Sequence, residues 1–358
     1  MAKELRDPLV PGLVAIRGLL GAGKNRLEIK PGHAVLIMRP GGPEILGPGL
    51  HEIKIDYGPT VLCWFHTGPL VGKPFTCILP ITEGSLSDGY FMAVICRFKL
   101  MIWSPWEFLK AFLQNRHELS IQELWERVKG IVRSSLAKSV ASCRHEDVND
   151  PYFQDYLAHS INLSLAEVGL RTSGFEVVEK VLRGPFSNQE ELLNDLRRSL
   201  PSPGPEGASI RLSEKLELIR KKPWLLVKPE RGPNEWKENW ISFWKGFLED
   251  WMKVNRRFHV SLEELSKMEP FSRMRPEHLA EVVEALGHGS HVISRDLLDE
   301  LCSLMPDWVR KTGLYVLNKE LLVDLGFSIH EASELLRELV ARGVFEWTRP
   351  GEEAVLKI

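Results

Sequence analysis

Gly18-Leu-Leu-Gly-Ala-Gly23-Lys24-Asn25 is the stretch closest to a motif that performs chemistry. A phosphate-binding loop sets glycines ahead of a Lys and a Ser or Thr. The hydroxyl holds magnesium, and a following helix turns its N–H groups toward the phosphates. Here Asn25 takes the hydroxyl position, and Arg26-Leu-Glu-Ile-Lys-Pro31 reads as a strand cut short by proline. Nucleotide binding is therefore disfavoured, and 18–25 is expected to be a flexible lead into the first strand. A nucleotide-dependent enzyme would need a helix after this loop. The other reactive side chains are dispersed. His33, His51, His66, His117, His145 and His159 are far apart in sequence, and so are Cys63, Cys77, Cys96, Cys143 and Cys302. There is no Cys-x-x-Cys, HExxH or GxSxG, and no Cys/His pair at ligand spacing. The histidines are expected at the surface or hydrogen-bonded in the core, and turn chemistry accounts for Glu83 and Asp88. No catalytic, cofactor-binding or metal-binding residue is assigned, no cofactor or small-molecule substrate is evident, and the chain is expected not to be an enzyme.

With 358 residues, the chain has room for two or three domains that each bury a core. It is 44% hydrophobic and 26% charged with a net charge of -2, which gives no global attraction to nucleic acid or anionic lipid. An odd, scattered set of five cysteines fits reduced thiols in a cytoplasmic setting. The best candidate span, 9–22, is too short and is interrupted by Pro11-Gly12 and Arg17, whereas a transmembrane helix needs about 20 apolar residues. It lacks the features of a secretory signal. Ala2 stands where N-myristoylation needs glycine, and no cysteine lies near the N-terminus for acylation. Residues 9–20 are expected to form a strand packing on the first domain, with contact to a bilayer as the alternative.

The elements that would position any site begin at Ile29-Lys-Pro-Gly-His-Ala34-Val-Leu-Ile-Met38. Ala34-Val-Leu-Ile-Met38 is a continuous apolar run, expected of a strand buried on both faces. Gly41-Gly42-Pro43 supplies a reversal, Gly47-Pro48-Gly49 a second turn, and His51 to Ile55 alternates as a half-buried strand. Further strands are expected at 60–65, 75–81 and 91–103, with a hairpin signal at Asp88-Gly89. Pro105 leads a short helix. Ser120 and Glu123 form a capping box ahead of a helix with Ile121, Leu124, Trp125, Val128, Ile131, Val132 and Leu136 on one face. A second helix aligns Phe153, Tyr156, Leu157, Ile161, Leu165 and Val168, stops at Gly169, and is followed by a strand at 174–182.

This order, with "GPGLH" after a glycine turn and a Thr and Asp-Gly ahead of Phe91-Met-Ala-Val-Ile-Cys-Arg-Phe98, resembles the SPFH or band 7 domain of stomatins, prohibitins and flotillins. The resemblance covers about 29–183, under half of the chain. It implies a non-enzymatic scaffold that is cytoplasmic or peripheral at the cytoplasmic face of a membrane, contacts protein partners and self-associates. The chain departs from that family in lacking sustained heptads. Residues 189–200 and 211–221 give short helices, and Pro201-Ser-Pro-Gly-Pro-Glu-Gly207 and 229–233 read as breaks.

From 234 a helical region is expected. Trp236, Trp240, Phe243, Trp244, Phe247 and Trp251 recur at three and four residues and are expected to form a core face, with a partner groove or a lipid-facing surface as the alternative. Four of the 11 tryptophans lie in this stretch. A capping box at Ser261 and Glu264, a helix from Pro276 ended by Gly287, and His291-Val-Ile293 suggest one winged-helix-like unit. Helices at 296–305 and 319–325, a helix capped by Ser328 and Glu331, and a hairpin through Pro350-Gly351 suggest a second. The pair resembles the tandem winged helices of ESCRT membrane-remodelling subunits.

The expected fold class is α+β: an N-terminal segment at 1–28, an SPFH-like domain at 29–186, short helices and linker at 187–233, and winged-helix-like domains at 234–293 and 294–358. A winged helix that reads DNA exposes Arg, Lys, Asn or Gln on its third helix and basic residues in the wing. Here the expected exposed face carries His330, Glu331, Glu334, Arg337, Glu338 and Arg342, and the wing carries Glu352 and Glu353. Carboxylates repel phosphates, so protein contact is expected and a nucleic-acid-binding regulator is the alternative. Arg220-Lys221-Lys222 with Lys228 and Arg231 reads as a solvated linker.

Overall fold

The computed structural model describes residues 3–39, 41–56, 59–201, 207–229, 234–286 and 291–357. The break expected at 201–207 falls outside them over 202–206. So do 230–233 with Arg231, the stop at Gly287, and Ala2. The protein is mixed α and β and divides into two compact units, Met1–Ser187 and Asn188–Ile358.

The first unit contains β1 (Lys3–Leu5), β2 (Leu13–Leu20), β3 (Gly23–Ile29), β4 (His33–Arg39), β5 (Gly42–Leu46), β6 (Gly49–Ile55), β7 (Thr60–His66), β8 (Phe75–Leu79) and β9 (Phe91–Ile102). A one-turn helix α1 (Pro105–Phe108) follows, then β10 (Glu118–Ser120), α2 (Ile121–Ser142), α3 (Phe153–Ala166) and β11 (Leu170–Arg183). The strands make three sheets, ordered β1-β3-β6, β10-β2-β7-β4-β5 and β11-β9-β8.

The apolar run in β4 has a physical cause. Its strand has a core on each face, so alternate residues serve different cores. Val35 and Ile37 join Leu27, Ile53, Leu62 and Trp64 in one cluster, while Ala34 and Leu36 join Phe65, Val94 and Phe98 in the other. In β6 one face is exposed, and the sequence alternates accordingly: Ile53 and Ile55 are buried, Glu52 and Lys54 exposed. The Asp88-Gly89 hairpin pairs β8 with β9 in antiparallel register. Ser120 and Glu123 form the reciprocal capping box of α2, whose buried stripe of Leu124, Val128, Val132 and Leu136 packs on the larger core. Gly169 ends the α3 segment with φ +74°, and a Cβ there would lie 2.4 Å from Phe108 N and Ser104 O. Glycine is required at that point by both conformation and space. β11 starts at Leu170 rather than 174, and Tyr156, expected on the buried stripe of α3, is exposed.

The N-terminal residues are part of this unit. β2 lies between β10 and β7, and β3 between β1 and β6. Residues 18–25, expected to be a flexible lead, are the end of one strand and the start of the next. Asn25 is buried and closes the turn by donating from Nδ2 to the carbonyl oxygens of Gly21 and Gly23 at 3.4 and 3.1 Å.

The second unit contains α4 (Gln189–Ser199), α5 (Ala208–Lys221), α6 (Asn234–Asn255), β12 (His259–Ser261), α7 (Leu262–Ser266), α8 (Pro276–Leu286), β13 (His291–Ile293), α9 (Arg295–Thr312), β14 (Val316–Asn318), α10 (Lys319–Asp324), α11 (Ile329–Ala341), β15 (Phe345–Arg349) and β16 (Glu353–Leu356). β12 pairs with β13, and β14, β16 and β15 form a three-stranded sheet. The short helices expected to belong to a linker are built into this unit. Asp250 of α6 accepts from Arg211 and Lys215 of α5 at 2.9 and 2.8 Å, and Trp308 Nε1 donates to Ser199 Oγ at 3.2 Å.

The tryptophan stripe is mostly core. Trp240 and Trp244 are buried, and both indoles donate to the Leu225 carbonyl at 2.7 and 2.9 Å, while Trp244 also packs on Phe247 and Phe271. Trp236 is 57% exposed and lies outside that core. The helix expected to stop at Met305 continues through Pro306 to Thr312. Proline forfeits one backbone hydrogen bond, yet Trp308, Val309 and Thr312 extend the buried stripe of Leu298, Leu301 and Met305, and burial of that face carries the helix on.

Candidate functional site

The dispersed residues of the first unit have local structural partners. His33 Nδ1 is 2.8 Å from Asp7 Oδ2, His51 Nε2 2.8 Å from the Gly47 carbonyl, and His66 Nε2 2.9 Å from the Leu13 carbonyl. His145 stacks on Tyr90 and meets Asp88 through Nδ1 at 2.7 Å and its backbone N–H at 2.9 Å. Glu83 pairs with Arg133. His117 and His159 are exposed. All five cysteines are buried free thiols. Burial pushes Cys63, Cys77 and Cys302 up to about 12 and raises Cys96 and Cys143 as well, so these sulfurs stay protonated at neutral pH.

Three features of the second unit converge around the start of α11. The first is Glu331. Expected on the exposed face, it has no solvent contact. Ser328 caps α11 and its N–H donates to Glu331 Oε2 at 2.9 Å, which places the carboxylate at the helix N-terminus. From there it reaches back to residues about seventy positions earlier. Oε2 accepts from Arg257 Nε at 2.9 Å, and Oε1 accepts from the N–H groups of Phe258 at 3.0 Å and His259 at 3.3 Å. Arg257 is also held by Glu264 at 3.0 Å. A residue that reads as a surface acid is the lock between the 234–293 and 294–358 segments.

The remaining charges on α11 are balanced by neighbours. Glu334 lies 2.8 Å from Arg337 and 3.5 Å from Arg295, and Glu338 lies 3.0 Å from Arg342, which also reaches Asp299. In the hairpin, Glu353 accepts from Thr348 Oγ1 at 2.6 Å. Within the stretch expected to be a solvated basic linker, Lys221 pairs with Glu217 and Lys228 with Glu281.

The second feature is a histidine trio. His259 of β12, His291 of β13 and His330 of α11 have ring centroids 4.9, 5.2 and 5.7 Å apart. Burial is the main cause that holds His259 below its ordinary value, and His291 and His330 add to it while Glu331 and Glu264 pull the other way. The Nδ1 atoms of His259 and His291 are buried and have no hydrogen-bond partner among the described residues. Among the described residues no group of three His, Cys, Asp or Glu side chains is arranged to hold a metal ion, and that includes these three. The cluster escapes sequence reading because its members are spaced 32 and 39 residues apart. The similar triplets His259-Val-Ser261 and His291-Val-Ile293 were the available hint, because β12 and β13 pair through Val260 and Val292.

The third feature is a cavity of about 230 Å³ behind the end of α6. Phe258, Leu297, Leu301, Leu325 and Phe327 line its apolar part, and Arg197, Arg256 and Arg257 line its polar part. Arg257 is neutralised by Glu331 and Glu264. Arg197 meets neutral acceptors, the Asn194 side chain at 3.1 Å and the Asp324 carbonyl. Arg256 has φ +55° and is the one non-glycine residue in the left-handed region among those described. It follows the last turn of α6, where Gly or Asn is the usual occupant. For an arginine, that conformation costs on the order of 1 kcal/mol.

No protein-family model matches the sequence, and a search of curated proteins finds no match.

Proposed function

We propose that the chain is a non-enzymatic scaffold or adaptor of the SPFH or band 7 type, peripheral at a membrane or membrane-protein assembly, whose C-terminal winged-helix units contact protein. The observation that carries the protein-contact reading is the charge balance on α11. Its arginines face carboxylates, Glu331 is withdrawn from the surface to lock Arg257, and acids sit in the hairpin. A DNA-reading helix needs uncompensated donors toward phosphates and base edges, so the nucleic-acid alternative gains nothing from this face. For the first unit, support comes from element order: a doubly buried strand, glycine turns, a long strand ahead of a proline-led helix, two packed helices, a glycine stop and a closing strand. No described helix is long and apolar enough to cross a membrane.

Fractionation of cells expressing the tagged protein tests the reading, with salt and then carbonate washes of the membranes. Retention through the salt wash supports the scaffold. A fully soluble protein that binds a short DNA duplex tightly at physiological salt would replace it with the regulator.

A further inference from the structure

We propose that the arginine-rimmed cavity behind α6 is a docking pocket for an acidic peptide segment of a protein partner. One large apolar side chain enters the cavity, and a neighbouring carboxylate meets Arg256 and Arg197. The inference rests on the reading of this unit as a protein-contact module and names the chemistry of the partner.

Three independent observations carry it. The cavity floor is made of Phe258, Leu297, Leu301 and Phe327, so it favours an apolar group. Its volume of about 230 Å³ lies below the roughly 300–1,000 Å³ typical of whole small-molecule sites, which fits an anchoring side chain better than a cofactor or a lipid tail. At the rim, no carboxylate among the described residues pairs with Arg197 or Arg256, whereas Arg257 beside them has two. Guanidinium groups with unfilled donors are the usual receptors for carboxylates, since they bind them in a planar, bidentate way.

Arg256 gives the third observation. A cation suits the C-terminal end of α6, but Lys253 already supplies one in the last turn. Nothing about capping requires arginine in a left-handed backbone, where glycine would stabilise the fold. Capping therefore leaves the left-handed Arg256 unexplained, and a binding role for its side chain would account for it.

The test selects a random eight-residue peptide library on the full-length protein and measures the best peptides by fluorescence anisotropy. The expected consensus places Asp or Glu within two residues of Leu, Ile, Phe or Trp, with binding that weakens as salt rises. Arg256→Gly should raise the unfolding midpoint and weaken peptide binding about tenfold, the loss of one charge-assisted contact. Arg197→Ala should weaken binding and lower the midpoint slightly through its lost bonds to Asn194 and the Asp324 carbonyl, the opposite sign to Arg256→Gly, and Leu301→Trp, which fills the cavity, should abolish binding. Failure to enrich any peptide, a consensus without acids, or binding unchanged in Arg256→Gly overturns the proposal. So does submicellar decanoate that binds through Arg256 more tightly than any peptide, which would assign the pocket to a small amphiphile. Because the selection reads peptide binding and the pocket variants assign it to this cavity, with no membrane present, its failure is separable from that of the membrane fractionation.

Discussion

Asp7 in the first unit and Glu331 in the second are both carboxylates shielded from solvent, and the chain uses them at different scales. Asp7 is a local fastener. It accepts from the N–H groups of Leu9 at 2.9 Å and Lys30 at 3.1 Å and meets His33 at 2.8 Å, tying two turns beside strands that an apolar cluster already holds. Glu331 joins segments that share few strands, and its partners Arg257, Phe258 and His259 lie at the junction between α6 and β12. The contrast shows where polar interactions become decisive. In a unit of stacked sheets, hydrophobic area specifies the arrangement and a buried acid refines it. In a unit of short helices and two- or three-stranded sheets, a buried ion pair fixes which segment packs on which.

The largest expected effect therefore belongs to Glu331. Glu331→Ala leaves the N–H groups of Ser328, Phe258 and His259 without their acceptor and the half-buried Arg257 with Glu264 as its one carboxylate partner. Breaking a buried pair from one side costs about 3–5 kcal/mol, and the lower end applies here because Glu264 still pairs with the partly exposed Arg257. Peptide-resolved hydrogen exchange of the full chain should show the loss across 188–358 and leave 1–187 unchanged. An equal loss in both units would break the comparison. Asp7→Asn should cost less, about 1–2 kcal/mol, since one neutral acceptor remains for the N–H of Leu9. Burial pushes the Asp7 carboxyl up, but the bonds from His33 and the N–H groups of Leu9 and Lys30 together outweigh it and hold the group below 3.8. The unfolded chain thus takes up the proton first. The contribution is fully present above pH 3.8 and is lost as pH falls through the lower folded value. Denaturation curves of the wild type and Asp7→Asn should converge in acid.

Most of the secondary structure could be read from the sequence because it rests on local signals. The capping boxes at Ser120, Ser261 and Ser328 all form, as do the turn at Asp88-Gly89 and the stripe on α2. The strand expected from Arg26 after the Gly18–Asn25 stretch forms as part of β3, but its place between β1 and β6 depends on long-range pairing that no local pattern encodes. The candidate site was largely illegible. Glu331 satisfies two demands at once, a capping box in its own helix and an acceptor for residues over seventy positions away, and only the first leaves a sequence signature. The histidine trio and the cavity arise where α6, β12, β13, α9 and α11 meet, so their chemistry depends on tertiary packing.

The smallest expected effect separates the units by pH. Each holds a histidine below 6.5 mainly through burial, His66 in the first and His259 in the second. A depressed histidine means that the unfolded state binds the proton first as pH falls. Its contribution is fully present above 6.5 and drains below it until the folded value is passed, by at most about 1.4 kcal/mol per pH unit for each group. His66 keeps a bond to the Leu13 carbonyl, which an imidazolium still donates to. Among the described residues His259 has no partner for Nδ1, and it faces His291 and His330, which both disfavour a proton on it, with Glu331 and Glu264 already committed to Arg257. Exchange protection of 188–358 should fall more steeply below pH 6.5 than that of 1–187. His259→Asn should flatten the slope of the second unit alone, because it removes the central ring of the trio while leaving the Arg257–Glu331 lock in place. An unchanged slope in that variant would move the acid sensitivity to other groups and leave the trio as packing.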